Sequence, residues 1–393
     1  MSELKTIDKS YVAGTYARFP LEIVRGEGSV LFDDEGKSYI DMGTGIAVNA
    51  FGVNDAAWKA AVIEQLDKVQ HTSNLYYTEP CAKLAKALCE RTGFKKVFFG
   101  NSGAEANECA IKVARKYAAE KKGAEYSTIV TLQNSFHGRT LTTLSATGQD
   151  HYHELYQPLT PGFVHTPAND LAALEALVAR EKVAGILVEC VQGEGGVIVL
   201  DADFVRGVAA ICAREDILFM VDEVQTGNGR TGALYAYMHY GVTPDVVSTA
   251  KGLGGGLPIG ACLIGEKAEN VLCPGDHGST FGGNPVASAG ALSIIERIDE
   301  MLLREVRKKS AYIVEMLKGT KGVKSVSGMG LMLGIETEKP AAEIVKGCME
   351  RGVLCLTAKT RVRLLPALNI PMADLEKAME VICSVIAEEK ESV

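Results

Sequence analysis

The chain has 393 residues, 47% hydrophobic and 23% charged, and its 41 Lys and Arg against 49 Asp and Glu leave a formal net charge of −8. That length exceeds a single small core and predicts two subdomains around a large buried interior. The acidic balance argues against nucleic acid or an anionic membrane as partner, and no apolar run approaches membrane-spanning length.

Ten cysteines are scattered singly, with no C-x-x-C pair. They read as reduced core thiols in a cytosolic compartment. The opening MSELKTIDKSY is polar and lacks a signal-type apolar segment, in keeping with a cytoplasmic location.

Near the start, apolar alternation around Asp33-Asp34-Glu35-Gly36-Lys37 predicts a β-hairpin. Gly36-Lys37-Ser38 does not end a phosphate loop, because the required first glycine would fall at Leu31. Helical periodicity follows, with one helix over Asp55–Val69 and another over Glu79–Arg91. Their link, HTSNLYYTEP, is aromatic and polar and reads as a loop near a site.

KKVFFGNSGAEANECAIKVARKYAAEKKG then gives a strand, a tight turn and a long helix. Ser102 with Glu105 predicts a capping box, and Cys109, Ala110, Val113, Ala114 and Tyr117 predict the buried stripe. Lys116, Lys121 and Lys122 complement the helix C-terminus, and Gly123 ends it.

Further strands are expected at Thr128–Leu132, Ala184–Val191, Ile217–Val224, Asp245–Ala250 and Ala261–Gly265. Helical patterns, such as Leu171–Glu181 and Phe204–Glu215, separate most of them. This is an α/β pattern, a largely parallel sheet covered by helices on both faces. After Pro285 come helices through 286–319, short strands in VKSVSGMGLMLGIE and VLCLTAKTRVRLLPAL, and a final amphipathic helix over Met372–Glu389. The expected division is an N-terminal segment (1–50) that joins a smaller domain, a large domain (51–285) and a C-terminal α+β domain (286–393).

The chemistry concentrates in Ile217–Gly260. ILFMVDEVQ places Asp222 and Glu223 at a strand's carboxyl end, where open α/β sheets bind ligands. DVVSTA delivers Lys251 to the same kind of position, and GLGGGLPIG lets backbone pass close to it. A lysine that forms a Schiff base and an acid that keeps a pyridinium nitrogen protonated would suit this pair. An ordinary buried ion pair fits the stretch equally well.

Asn101-Ser102-Gly103-Ala104 opens a helix and can take a phosphate, or can be a plain N-cap. A nucleophile elbow would need glycine where Ala104 stands. Phe136 can stack on a planar ring and Arg139 can fork onto a carboxylate; a core Phe and a surface Arg is the alternative. Glu189 ends a buried strand, and Glu194 sits between glycines that let it move, with Arg363 as candidate partner. His151-x-His153-Glu154 has no third ligand motif, so no metal site is expected.

In order along the chain, FFGNSGAEANE, FHGRT, VQGEGG, DEVQTGNGRTG, Lys251-Gly252 and GSTFGGNP resemble the class III pyridoxal-phosphate-dependent aminotransferases. GTYARFP and HTSNLYYTEP resemble the acetylornithine aminotransferase branch of that family. The resemblance implies a fold type I architecture, with a smaller α+β domain built from both chain ends. It also implies a pyridoxal 5'-phosphate cofactor and a homodimer with shared active sites. By motif, Lys251 would carry the cofactor as a Schiff base, Asp222 would pair with its ring nitrogen and Gln225 with its ring hydroxyl. Phe136 and Val224 would flank the ring, and Ser102, Gly103 and Ala104 would hold the phosphate. Thr280 would reach the phosphate in the other subunit. Tyr16, Arg139 and Ser279 would contact substrate. Arg363 would bind the α-carboxylate of glutamate or 2-oxoglutarate, with Glu194 neutralising it in the other half-reaction.

The implied reaction moves the distal amino group of N2-acetylornithine to 2-oxoglutarate, a step of arginine biosynthesis. Ornithine, succinylornithine, succinyl-diaminopimelate and 4-aminobutyrate are rival donors, and a non-catalytic cofactor carrier is a rival of another class. ILFMVDE also resembles the acidic strand of a P-loop ATPase, but the chain has no G-x-x-x-x-G-K-[ST]. Relatives usually carry Gly-His-x-His-Pro where this chain has Gly52-Val53-Asn54-Asp55-Ala56. Gly45 stands near where strict ornithine enzymes place a bulky aromatic, and a small residue there would leave room for an acyl group.

Overall fold

The structure, a computed structural model, describes residues 2–388. Its centre is a seven-stranded sheet: β1 (Lys96–Gly100), β2 (Thr128–Leu132), β3 (Phe163–Thr166), β4 (Val183–Val188), β5 (Leu218–Asp222), β6 (Val246–Thr249) and β7 (Gly260–Ile264). The spatial order is β1-β7-β6-β5-β4-β2-β3, with β7 antiparallel to both neighbours and every other pairing parallel.

Side chains alternate across this sheet and sort into two cores. Leu218 and Met220 join Ile129, Leu187, Val246 and Cys262 on one face, under the Gly103–Lys122 helix. That helix buries Cys109, Ala110, Val113, Ala114 and Tyr117, the stripe its periodicity predicts. Phe219 and Val221 join Val130, Ile186 and Val188 on the other face, under the helices Leu171–Arg180 and Ala202–Glu215. Each fully buried aliphatic side chain here contributes about 1.5–3 kcal/mol.

The helices Ala56–Leu66 and Glu79–Thr92 pack against Pro285–Arg297. Two smaller sheets lie beyond. One is antiparallel, in the order Val323–Met329, Met332–Thr337, Arg361–Leu364, Leu356–Ala358. In the other, the N-terminal strands Ile23–Glu27, Val30–Asp33 and Ser38–Asp41 are completed by Val353–Leu354, parallel to Ser38–Asp41. No helix among the described residues is long and apolar enough to cross a membrane.

Differences from the sequence reading are local. The expected strand Ala184–Val191 stops at Val188, and Val191–Gln192 instead opens a small hairpin with Ile198–Val199. β3 and the helix Ala341–Glu350 were not anticipated. The last helix runs Met372–Ala387, and the expected end, Glu389, lies outside the described residues. The capping box is also incomplete. Ser102 Oγ accepts from the Glu105 N–H, but the Glu105 carboxylate takes the N–H of Asn101, one residue earlier than the motif requires.

Candidate active site

β5 ends at Asp222, in register with Ser248 on β6, and Lys251 follows three positions beyond. Two parallel strands therefore deliver an acid and an amine to one edge of the sheet. Asp222 is 3% exposed. Its Oδ2 accepts from Asn107 Nδ2 at 2.8 Å and from His137 Nδ1 at 2.8 Å, while Oδ1 accepts the Val224 N–H at 2.9 Å. Three donors on one buried carboxylate fix its position and orientation. The far nitrogen of His137, Nε2, is buried without a partner among the described residues.

Lys251 sits at φ 47°, in the left-handed region. For a residue other than glycine that costs about 1–3 kcal/mol, and such strain gathers at functional sites. Burial lowers the Lys251 ammonium pKa, and the nearby Glu194 and Asp222 charges only partly restore it. Lys251 and Asp222 line one cavity of about 620 Å³. Gly256, Leu257, Pro258 and Ile259 form part of its wall, so the glycine-rich segment does approach the lysine's surroundings.

Ser102, Gly103 and Ala104 line the same cavity at the N-terminus of the 20-residue helix. The first turn of a helix leaves N–H groups without intrahelical partners, so it attracts an anion. Gly103 is required there. A Cβ on it would lie 2.6 Å from Val224 Cγ1, so Val224 leaves no room for a side chain at this turn.

Phe136 and Arg139 also line the cavity. The Arg139 guanidinium lies 5.6 Å from the Phe136 ring centre and 4.4 Å from that of Tyr152, which meets Phe136 edge-on. These cation–π contacts hold the arginine at the cavity edge. Glu189 lies deeper, accepting the Phe136 N–H at 2.9 Å. Burial, with the Asp222 charge beside it, raises the Glu189 carboxyl well above the usual carboxylate range.

Arg363 meets Glu194 at Nη1–Oε1 2.5 Å and Nη2–Oε2 3.4 Å, and Nη1 also reaches Gln225 Oε1 at 3.1 Å. The arginine side chain is 3% exposed and the glutamate 27%. Burial pushes the Glu194 carboxyl up, but the charge and hydrogen bonds of Arg363 outweigh that and hold it below its ordinary value. Arg363 Nε remains buried without a partner among the described residues. Gln225 lines the cavity and links this pair to it. Tyr16 lines the mouth and is 73% exposed.

Four expected site residues lie outside the wall of this cavity: Glu194 and Arg363, which meet it through Gln225, and Ser279 and Thr280. Thr280 is exposed, and Ser279 Oγ accepts from Asn101 Nδ2 at 3.1 Å outside the cavity wall. Gly45 lines a separate hollow between the N-terminal segment and Leu354–Leu356, so it is not a wall of the Lys251 cavity. Sequence reasoning missed Asn107, His137 and Tyr152. Their importance arises from partners distant in the chain, and only the bare His137 within FHGRT marked the place.

The donor set fits pyridoxal 5'-phosphate: an amine for its aldehyde, a buried acid for its ring nitrogen, and a tight N–H turn for its phosphate. Phe136 and Val224 line the same cavity.

Comparison with known proteins agrees. The Aminotransferase class-III family model matches residues 11–386. The chain is 48% identical over 388 residues to the acetylornithine aminotransferase of Haemophilus ducreyi, covering 98% of this chain and 99% of that protein. It is 45% identical over 385 residues to the succinylornithine transaminase of Yersinia enterocolitica, covering 94% and 93%. The crystal structure of ornithine aminotransferase from Toxoplasma gondii superposes with TM-score 0.93 at 31% identity, covering 98% of this chain and 94% of that one.

Proposed function

We propose that this chain, which belongs to the class-III aminotransferase family, moves the distal amino group of N2-acetylornithine to 2-oxoglutarate. The products are N-acetylglutamate 5-semialdehyde and glutamate, and the step serves arginine biosynthesis. As a pyridoxal-phosphate-dependent transaminase of fold type I, it uses a cofactor that supplies a carbonyl to receive the amino group and a protonated ring to accept electrons from the breaking substrate C–H bond.

The chain's own residues do the rest. Asp222, fixed by Asn107, His137 and the Val224 N–H, keeps the ring nitrogen protonated. Lys251 would hold the cofactor, and its lowered pKa favours the free amine, which would serve as the base at the substrate's reacting carbon. Ser102, Gly103 and Ala104 bind the phosphate, and Gln225 the ring hydroxyl. Phe136 and Val224, both on the cavity wall, would flank the ring. Arg139 takes the donor's α-carboxylate at a set distance from Lys251, which selects donors by chain length. Tyr16 and Ser279 border the substrate.

The observation that carries this reading is the Arg363–Glu194 pair beside Gln225. An arginine covered by a mobile carboxylate can serve two substrates in turn. Uncovered, it receives the α-carboxylate of 2-oxoglutarate or glutamate, and covered, it presents no charge to the acylated donor.

Thr280 completes the phosphate site of a second subunit, so the working enzyme is a homodimer. Its exposure in one chain supports this reading. The enzyme acts in the cytoplasm on small molecules. Residues 1–50 join 286–393 in a small α+β domain beside the cofactor-binding 51–285; the parallel pairing of Ile40 with Val353 supports that division.

Steady-state kinetics with 2-oxoglutarate and N-acetylornithine, N-succinylornithine, ornithine, succinyl-diaminopimelate or 4-aminobutyrate test the proposal. N-acetylornithine should give the highest kcat/KM. A higher value for any other donor would reassign the substrate.

A further inference from the structure

The loop that carries Glu194 is fastened at its far end by a second arginine. Glu194 lies in the five-residue tip, Gly193 to Val197, of the hairpin Val191–Gln192/Ile198–Val199. Gln192 secures the near end, donating to the Gln133 carbonyl at 2.9 Å. Val197 ends the tip at φ 57°, a conformation that β-branched residues rarely adopt. Something must hold it there.

One face of a small sheet supplies the hold. Ser327 pairs with Gly334, and Gly334 pairs with Arg363. Arg361, two positions before Arg363 on its strand, faces the same way. Gly334 leaves the floor open for Val197, whose Cβ lies 2.8 Å from where a Gly334 Cβ would be. Ser327 Oγ donates to the Val197 carbonyl at 2.8 Å. The Arg361 guanidinium donates to Ser327 Oγ and, at 3.3 Å, to the Gly196 carbonyl. Its other nitrogen bonds Glu336 at 3.3 Å, which fixes the fork.

We propose that Arg361 is a positioning residue for the Glu194 arm. By clamping Gly196 and Val197 to the sheet through Ser327, it confines the swing of Glu194 to Gly193–Gly195 and sets the fraction of time that Arg363 is covered. The proposal rests on the reading that Arg363 receives the dicarboxylate substrate. Covering competes with that binding, so apparent dicarboxylate affinity scales with the uncovered fraction. Loosening the clamp leaves Glu194 astray more often. Dicarboxylates then bind more tightly, while the acylated donor meets an exposed charge.

The test titrates glutarate, a dicarboxylate that carries no keto or amino group, into the cofactor-loaded enzyme by calorimetry, alongside the KM for N-acetylornithine. Arg361→Met and Ser327→Ala should each bind glutarate about threefold or more tightly and raise the KM for N-acetylornithine, and Arg361→Lys should restore part of both. A merely structural defect would weaken both ligands together. Unchanged glutarate affinity in Ser327→Ala and Arg361→Met, or weakening of both ligands, would overturn the clamp. Arg363→Met separates the two ideas. It should abolish glutarate binding, and if it does not, the reading of Arg363 fails and the clamp fails with it.

Discussion

Asn107 and Asp222 lie 115 positions apart, yet the amide of the first donates to the carboxylate of the second at 2.8 Å. The amide cannot turn over, because its oxygen accepts the Ser248 hydroxyl at 2.5 Å and its nitrogen also donates to the His137 carbonyl at 2.8 Å. A hydrogen bond to a charged group contributes about 1.5–3 kcal/mol, which converts to roughly 10- to 100-fold in rate or affinity. Asn107→Ala should therefore lower kcat/KM by about that factor. Cofactor retention, followed by titrating pyridoxal 5'-phosphate into the stripped protein, should weaken in parallel. Wild-type values of both would show that Asp222 needs no such support.

Lys251→Ala should abolish transamination and, with it, the visible absorbance of the lysine-linked cofactor. The two readouts are tied to one nitrogen. Turnover retained without the absorbance change would remove the lysine from the chemistry.

Leu75, Tyr76 and Tyr77 are 87%, 70% and 105% exposed, beside Phe281 at 58%. Asn74 ties their loop to the Thr280 turn by donating to the carbonyls of Ser279 and Gly282, both at 3.0 Å. So much exposed apolar surface on one loop fits the proposed subunit contact. Sedimentation should show twice the chain mass, and Tyr77→Asp should shift it toward the single chain while weakening cofactor binding. A Tyr77→Asp dimer of undiminished stability would place the interface elsewhere.

Glu223 is wholly buried and accepts from Thr226 Oγ and the Tyr237 N–H. Burial raises its pKa from the ordinary 4.5 to about 7. A carboxyl with a raised folded-state pKa stabilises the fold fully below its unfolded value and loses that contribution as pH climbs through the folded one. The window is thus roughly pH 4.5 to 7, and the loss is on the order of 3 kcal/mol. Glu223→Gln cannot titrate, so its melting temperature should rise relative to the parent between pH 5 and pH 8. A constant gap across that range would show that Glu223 does not titrate there.

The sheet and the acid–amine pair were legible because both depend on short-range pattern. A run such as LFMVD is too short for a buried helix, and the turn residues that follow mark it as a strand. β3 escaped notice because FVHT is four residues long at the sheet's edge and carries a histidine. The environment of Asp222 was not legible. Asn107 lies on the buried stripe of a helix, where nothing local distinguishes it from other polar residues, and only the fold aims it at the carboxylate that ends β5. Glu105 departs from its pattern in the same way: a capping box is a sequence pattern, but in the fold its carboxylate accepts the N–H of Asn101 rather than that of Ser102.

The pairing of the N-terminal hairpin with Val353–Leu354 sets a schedule for synthesis. Lys37 donates to the carbonyl of Glu350, 313 positions later. At about 5–20 residues per second, the hairpin emerges from the ribosome roughly 15–60 s before its partner. Throughout that interval the nascent chain carries an open strand edge at Ser38–Asp41. A chain cut before Val353 would lack the strand that covers this edge.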